Sequence, residues 1–417
     1  MRLRKIISPF LAKTRNTDLR VHNASEDKKK HQLCGLPTEL MDLIASFMDK
    51  PALCAVRLTC STLERATKYQ FGRIGLHTLH TDLSKLNLLA MDELAETCGL
   101  NQHVKKISIG SATGNTIGYG FIWCRDILEN EYLNFLHSSN GFLKLRAVLK
   151  KFPNCQSFHI SLSNQPESGT WTDCLSPSDA VTLVLHLIPS MARPIESFSC
   201  SYPDFDKHSA GVIDPRRFCP HTFHLVRFGL CWSTLTELCL LAQVKDALLA
   251  DLVYELIDQA PNLKKLDLDC GGGEGVDALF QLLGQEGNNM KLEVFKLSGV
   301  VGISGQDLQS FLLTNRNSLR ILELRTVRFD AGLWETVLES LMREFPVLKE
   351  LTLLWIADST TGRYPIHWVH DNVRDVRGRH GRIRITYSGL PVHNALYSLL
   401  ARYQIQPPQQ LSVQEAQ

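Results

Sequence analysis

The sequence predicts an α/β repeat solenoid, a parallel sheet plus helices, preceded by a small all-α module. Three observations carry this. One apolar spacing, apolar-x-x-apolar-x-apolar, returns eight times between residues 104 and 353. Its last five copies begin at Leu235, Leu263, Leu292, Leu319 and Leu348, which are 28, 29, 27 and 29 residues apart. The stretch from Leu36 to Leu63 instead carries apolar residues at helical spacing, more of them than so short a unit can bury. Units below about forty residues seldom hold together alone.

Residues 1–33 open with MRLRKIISPFLAKTR and end in the charge run Glu26–Lys30, and they read as a basic, disordered tail. The acid-poor start shares features with a mitochondrial targeting segment, but Pro9 interrupts any amphipathic helix and serine is sparse. A short basic cluster also fits a nuclear localisation signal.

Residues 34–68 read as two or three short helices. Pro37 suits a first helical turn, and Glu39 complements its N-terminus. Leu36, Leu40, Leu43, Ile44 and Phe47 cluster on one side, and Met41 and Met48 widen the arc beyond the ~100° of a simple amphipathic helix. A second start follows at Asp49–Lys50–Pro51, with Leu53, Val56 and Leu58 apolar, and Ser61 or Thr62 can cap a third helix. LPxEL from Leu36, then Ile44, Met48, Leu53, Val56–Arg57, Cys60 and Leu63, resembles the F-box in order and spacing. Met48, Ser61 and Leu63 depart from the residues commonest there. The resemblance implies docking on the Skp-type adaptor, and through it a cullin, of SCF-type ubiquitin ligases. It implies that Leu36, Pro37, Leu40, Ile44, Met48, Leu53, Val56, Cys60 and Leu63 bind that adaptor. The alternative is a helical hairpin that packs only on the rest of the chain.

Residues 69–100 read as a helical linker, and 101–357 as the repeats. The copies are Val104/Ile107/Ile109, Cys155/Phe158/Ile160, Ile195/Phe198/Cys200, Leu235/Leu238/Leu240, Leu263/Leu266/Leu268, Leu292/Phe295/Leu297, Leu319/Leu322/Leu324 and Leu348/Leu351/Leu353. A fixed period near 28 residues is that of a strand-plus-helix repeat. Between the late copies, Leu248–Ile257, Leu308–Leu312 and Leu333–Leu341 repeat at helical spacing, with Asp330 as a cap for the last. Pro153, Pro261 and Pro346 each stand two residues before a copy, where proline stops a helix and presets an extended chain. The pattern resembles irregular leucine-rich repeats. The position of that family's Asn or Cys ladder holds Gln243, Gly271, Val300, Val327 and Ile356 instead. Earlier copies lie 51, 40 and 40 residues apart, with Gly-, Ser- and Pro-rich interruptions that read as loops. F-box followed by such repeats resembles F-box proteins of the leucine-rich type.

Residues 358–403 read as a C-terminal cap, with Arg382–Tyr387 as a last strand and LPVHNALYSLLARY as a closing helix. Arg374, Arg377, Arg379, Arg382 and Arg384 fit either that solvated cap or an anion site. Residues 404–417, polar and rich in Gln and Pro, read as a disordered tail.

A formal net charge of +2 favours no nucleic-acid reading, and the Arg-rich segment lacks aromatic interleaving. No apolar run reaches the roughly eighteen residues of a membrane span. The twelve cysteines are scattered singly, without CxxC, and read as reduced thiols of a cytoplasmic or nuclear protein. HExxH and GxSxG are absent, and GGGEG at 271–275 lacks the Lys–Ser/Thr of a phosphate loop. His31, His77, His80, His208, His221, His224, His367 and His370 show no carboxylate or Cys partner at a useful spacing. The expectation is a chain with no catalytic centre, no metal and no cofactor. Two roles remain: a substrate receptor of a ubiquitin ligase, or an interaction scaffold that uses the F-box without ubiquitin transfer. Lys264, Lys265, Asp267, Glu293, Lys296, Arg320, Glu323 and Arg325 alternate in sign on the open side of the strands. They are the candidate face for an unknown protein target, although each singly also fits a solvated sheet.

Overall fold

Each copy of the apolar spacing folds as one strand with its flanking turn, and the copies lie side by side in chain order. The computed structural model describes residues 32–97, 99–110, 117–123, 125–127, 133–135, 139–161, 174–201, 224–242, 244–285, 290–331, 334–358, 362–363, 384–388 and 396. Four short helices come first: α1 (Thr38–Ser46), α2 (Lys50–Arg57), α3 (Ser61–Ala66) and α4 (Lys68–Gln70). Beyond them, strands and helices alternate. The strands are β1 (Thr78–Thr81), β2 (Lys106–Ile109), β3 (Arg125–Ile127), β4 (Leu133–Phe135), β5 (Ser157–Ser161), β6 (Ser197–Ser201), β7 (Glu237–Leu241), β8 (Lys265–Asp269), β9 (Val294–Ser304), β10 (Ile321–Ala331) and β11 (Glu350–Asp358). The helices among them are α5 (Lys85–Glu96), α6 (Asn140–Lys150), α7 (Pro177–Met191), α8 (Val226–Trp232), α9 (Ala247–Asp258), α10 (Val276–Leu283), α11 (Gly305–Thr314) and α12 (Trp334–Glu344).

The fold is α/β. Nine strands, β1, β2 and β5 to β11, form a parallel sheet whose spatial order is their sequence order. Helices pack on their successors, α5 on α6, α6 on α7, α7 on α8, and α9 through α12 in turn. One register aligns Ile107, Phe158, Phe198, Leu238, Leu266, Phe295, Leu322 and Leu351 across the sheet. All 24 residues of the eight copies are at most 5% exposed, so they form the continuous core between sheet and helices. β3 and β4 make a separate antiparallel ribbon inside the first long gap.

Two expectations need correcting, and a third observation gains a physical role. The segment 69–100 is more than a helical linker, because it supplies β1, the first strand of the sheet. Its apolar spacing is hidden by Thr81, which is buried and accepts the Leu83 N–H on its own hydroxyl at 3.0 Å. Asp330 does not cap α12; it lies within β10, which stays paired with β9 through Phe329 and Ala331. The ladder position is not merely lost. Val300, Val327 and Ile356 are buried and in register, so β9, β10 and β11 continue through it as an apolar row. The chain kinks just before that row, at Gly299 (φ 66°) and Thr326 (φ 52°).

GGGEG is a packing turn. A Cβ on Gly273 would meet the Val244 carbonyl oxygen at 1.8 Å, and one on Gly275 would meet that of Asp246 at 2.2 Å. Glycine is required there because the backbone of the preceding repeat's turn occupies the space.

After β11, β12 (Gly362–Arg363) and β13 (Arg384–Ser388) both pair with it antiparallel. The expected capping strand therefore exists and covers the sheet's free edge, the usual way a row of unpaired backbone groups is protected. The two tails (residues 1–31 and 404–417), Arg374, Arg377, Arg379, Arg382, most of the expected closing helix, and His31, His208, His221, His367 and His370 lie outside the described residues.

Candidate docking surface

Local chemistry sets the helical module. Pro37 stands at the cap position of α1, where a missing N–H costs nothing. Asp49 caps α2, its carboxylate accepting the Ala52 N–H at 2.8 Å. Cys60, rather than Ser61 or Thr62, occupies the cap position of α3. The helix breaks at Thr67, a buried residue whose hydroxyl donates to the Leu63 carbonyl at 2.6 Å.

The module's own core is small: Met41, Ala45, Leu53 and Leu63, with Thr67 and Gln70. Arg57 braces it from the side. Its guanidinium lies 4.2 Å from the Phe71 ring centroid and donates to the Glu64 carbonyl at 2.8 Å. Burial pushes the Arg57 pKa down, against the attraction of Glu64. Gln70 Nε2 donates to Asp42 Oδ2 at 2.9 Å, joining the first and fourth helices. The module is fastened to the α/β part at Tyr69 and Gly72. Tyr69 stands edge-on to His103 with ring centroids 5.4 Å apart, and a Cβ on Gly72 would meet the same ring at 2.2 Å.

What the module leaves uncovered is apolar. Leu36, Pro37, Leu40 and Ile44 are exposed, as the sequence reading requires of docking residues. Leu43 (55% exposed) and Phe47 (83%) extend the same face of α1, and Leu33 and Leu58 are exposed as well. Met48, Val56 and Cys60 are half-buried. Leu53 and Leu63 correct the expectation: at 0% and 8% exposure they hold the module together and are not at its surface. The resemblance named these two with the docking set, and apolar spacing does not sort the module's core from its interface. A groove of about 500 Å³ lies between the polar side of α1, the α3–α4 junction and the turn at 99–103, its lining including Glu39, Asp42, Arg65, Lys68, Tyr69 and His103. Its mixed charges match no single ligand class.

The second candidate surface is the open side of the sheet. Register places His80, Ser108, His159, Ser199, Cys239, Asp267, Lys296, Glu323 and Thr352 in one cross-strand row. The row divides into two chemistries. From β2 to β6 it carries small hydroxyls and a histidine, with His159 Nδ1 2.9 Å from Ser199 Oγ. On β8, β9 and β10 it carries the charges Asp267, Lys296 and Glu323, and further ion pairs lie beside the row. Lys265 meets Glu237 at 3.7 Å, Lys264 meets Glu293 at 3.4 Å, Arg320 meets Glu293 at 3.9 Å, and Lys296 meets Glu323 at 2.9 Å. Arg325 Nε donates to Glu323 Oε1 at 2.6 Å. Burial opposes the Glu323 charge, yet the Lys296 hydrogen bond and Arg325 outweigh it and lower its pKa. At Asp267 burial wins and raises the pKa, despite Lys296. Five of the eight sequence-selected charges, Lys265, Asp267, Lys296, Glu323 and Arg325, fall on β8, β9 and β10, Lys264, Glu293 and Arg320 stand just before those strands, and most of the eight are spent on one another.

Burial, with Lys106 and His80, pulls the His159 pKa down to about 4, well below the pH at which an imidazole base works best. Ser199 is its cross-strand hydrogen-bond partner. His224 does have a carboxylate partner that sequence spacing hid, Glu255 Oε1 at 3.3 Å on the neighbouring helix α9. Among the described residues, no group of three or more His, Cys, Asp or Glu side chains is placed to hold a metal ion, and no helix is long and apolar enough to cross a membrane. No protein-family model and no curated protein matches this sequence.

Proposed function

We propose that this chain is the substrate-recognition subunit of an SCF-type ubiquitin ligase. Its helical module acts as an F-box that docks on a Skp-type adaptor and through it a cullin. Its sheet and helices act as an irregular leucine-rich-repeat solenoid that holds a target protein. The observation that carries this reading is the uncovered apolar face of α1, where Leu36, Leu40, Leu43, Ile44 and Phe47 are all at least 37% exposed. A contiguous apolar face of this kind marks a protein interaction site. The repeat reading draws support from strands that follow one another in register with a helix between them.

In this role the chain catalyses nothing. It supplies proximity, bringing a lysine of the target to the transfer machinery in a fixed orientation, and needs no cofactor. The charged row on β8, β9 and β10 and the hydroxyl row on β5 and β6 are the surface offered to the target.

Co-purification of the full chain with the adaptor and cullin tests the reading. Wild type should capture both, and a Leu40→Asp/Phe47→Asp double variant, which changes only exposed positions, should lose both while keeping its circular dichroism spectrum. Capture of adaptor without cullin would favour the scaffold role without ubiquitin transfer. Equal capture by the double variant would remove the docking assignment.

A further inference from the structure

We propose that Cys34 and Cys60 form a dithiol site in the helical module, which a hydroperoxide converts to an intramolecular disulfide. Their sulfurs lie 3.6 Å apart in a thiol–thiol hydrogen bond, from residues 26 apart in sequence, and both side chains are partly exposed. A disulfide bond is about 2.05 Å long, so closure asks the sulfurs to approach by about 1.5 Å. Cys34 sits on the single 3-10 turn Gln32–Gly35 ahead of α1, a short segment from which to supply that movement.

The two thiols are not equivalent. The backbone N–H of Leu63, with the Cys34 thiol, lowers the Cys60 pKa, while donation to Cys60 raises that of Cys34. Cys60 is therefore the thiolate that attacks, and Cys34 the one that resolves. Unlike Cys60, thiols buried in the α/β part are raised in pKa. Burial drives Cys155 and Cys239 up to about 12 and Cys200 well above its usual range.

The chemistry balances. The Cys60 thiolate attacks the O–O bond of the hydroperoxide, taking one oxygen as a sulfenic acid and releasing the other as an alcohol, or as water if the oxidant is hydrogen peroxide. The Cys34 sulfur then attacks the sulfenic sulfur, the S–S bond forms, and the hydroxyl leaves as water with the Cys34 proton. Two electrons pass from the thiol pair to the peroxide. A thiol reductant reverses the step. The product ties the turn before Leu36 and Pro37 to the start of α3, and so bridges the border of the exposed apolar face. This site stands whether or not that face binds an adaptor.

The test is peptide mass spectrometry on the full chain. The protein is treated with hydrogen peroxide, alkylated, and digested with trypsin without reduction. The expected product joins the peptide from His31 to Arg57 with the peptide from Leu58 to Arg65, lighter by two hydrogens than the two free thiol peptides. Cys54 shares the first peptide, so C54S is the internal control: the pair should persist in C54S and vanish in C34S and C60S. Adding dithiothreitol should abolish it. Persistence of the pair in C34S would overturn the proposal, as would equal alkylation of Cys34 and Cys60 with and without peroxide. So would over-oxidation of Cys60 to the sulfinic acid beside a free Cys34. Fragmentation of the wild-type joined peptide, which places the bridge at Cys34 or at Cys54, decides the matter even if a serine variant fails to fold: a bridge at Cys54 overturns the proposal.

Discussion

Leu53→Ala and Leu43→Ala remove the same three carbons from neighbouring helices of one module, and the structure gives them opposite consequences. Leu53 is 0% exposed at the centre of the module core, while Leu43 is 55% exposed on its outer face. Truncating a fully buried leucine costs about 2–5 kcal/mol, transfer and cavity together. Full burial of a leucine side chain contributes about 1.5–3 kcal/mol, so a residue less than half buried can lose about 1 kcal/mol at most. Hydrogen exchange of backbone amides, read on peptides that cover α1 and α2, measures local opening directly. With one decade per 1.4 kcal/mol, Leu53→Ala should speed exchange in α2 by about thirtyfold or more, and Leu43→Ala by about fivefold at most. Equal acceleration by the two variants would refute the reasoning. It would mean that another part of the chain covers the face of α1, and the case for a docking surface would fall with it.

Two further expectations concern the sheet. His159 has a folded-state pKa of about 4 against 6.5 when free, so between those values the unfolded chain takes up a proton that the native chain refuses. Its contribution is full above pH 6.5 and is lost as pH falls towards 4. The interval amounts to about 3 kcal/mol, and partial exposure brings the expected loss to about 1–2 kcal/mol. Urea titrations of wild type and His159→Asn between pH 7 and 4 should show the difference shrinking in the variant; parallel pH profiles would count against it. Gly273→Ala puts a methyl against the Val244 carbonyl. It should cost about 1–3 kcal/mol, with the melting temperature as readout, whereas a phosphate-loop glycine would show instead as lost nucleotide binding with stability intact.

The parts legible in the sequence were those where one residue type repeats a physical demand. The eight apolar triplets had to be buried, and each one is. The start of α2 was legible because Asp49 and Pro51 are chemically specific to a helix start. β1 was not, because Thr81 satisfies its own hydroxyl locally and so serves as a buried residue without looking like one. Nor was the path of β9 and β10 through residues 300 and 327, since a kink at Gly299 and Thr326 has no periodic signature. The docking face was half legible. Spacing identified the apolar set of α1, but the division between Leu53 and Leu63 inside and Phe47 outside depends on how three short helices cross. The Cys34–Cys60 contact and the His224–Glu255 pair join residues 26 and 31 positions apart, and no spacing rule marks either one.

The most direct test of the central claim is a calorimetric titration of the full chain with purified Skp-type adaptor, alone and in complex with the cullin. The account predicts saturable binding at one site per chain, weakened at least tenfold by Leu40→Asp and unaffected by Lys264→Ala on the sheet. An absence of heat with wild type, or equal affinity in wild type and Leu40→Asp, would contradict it.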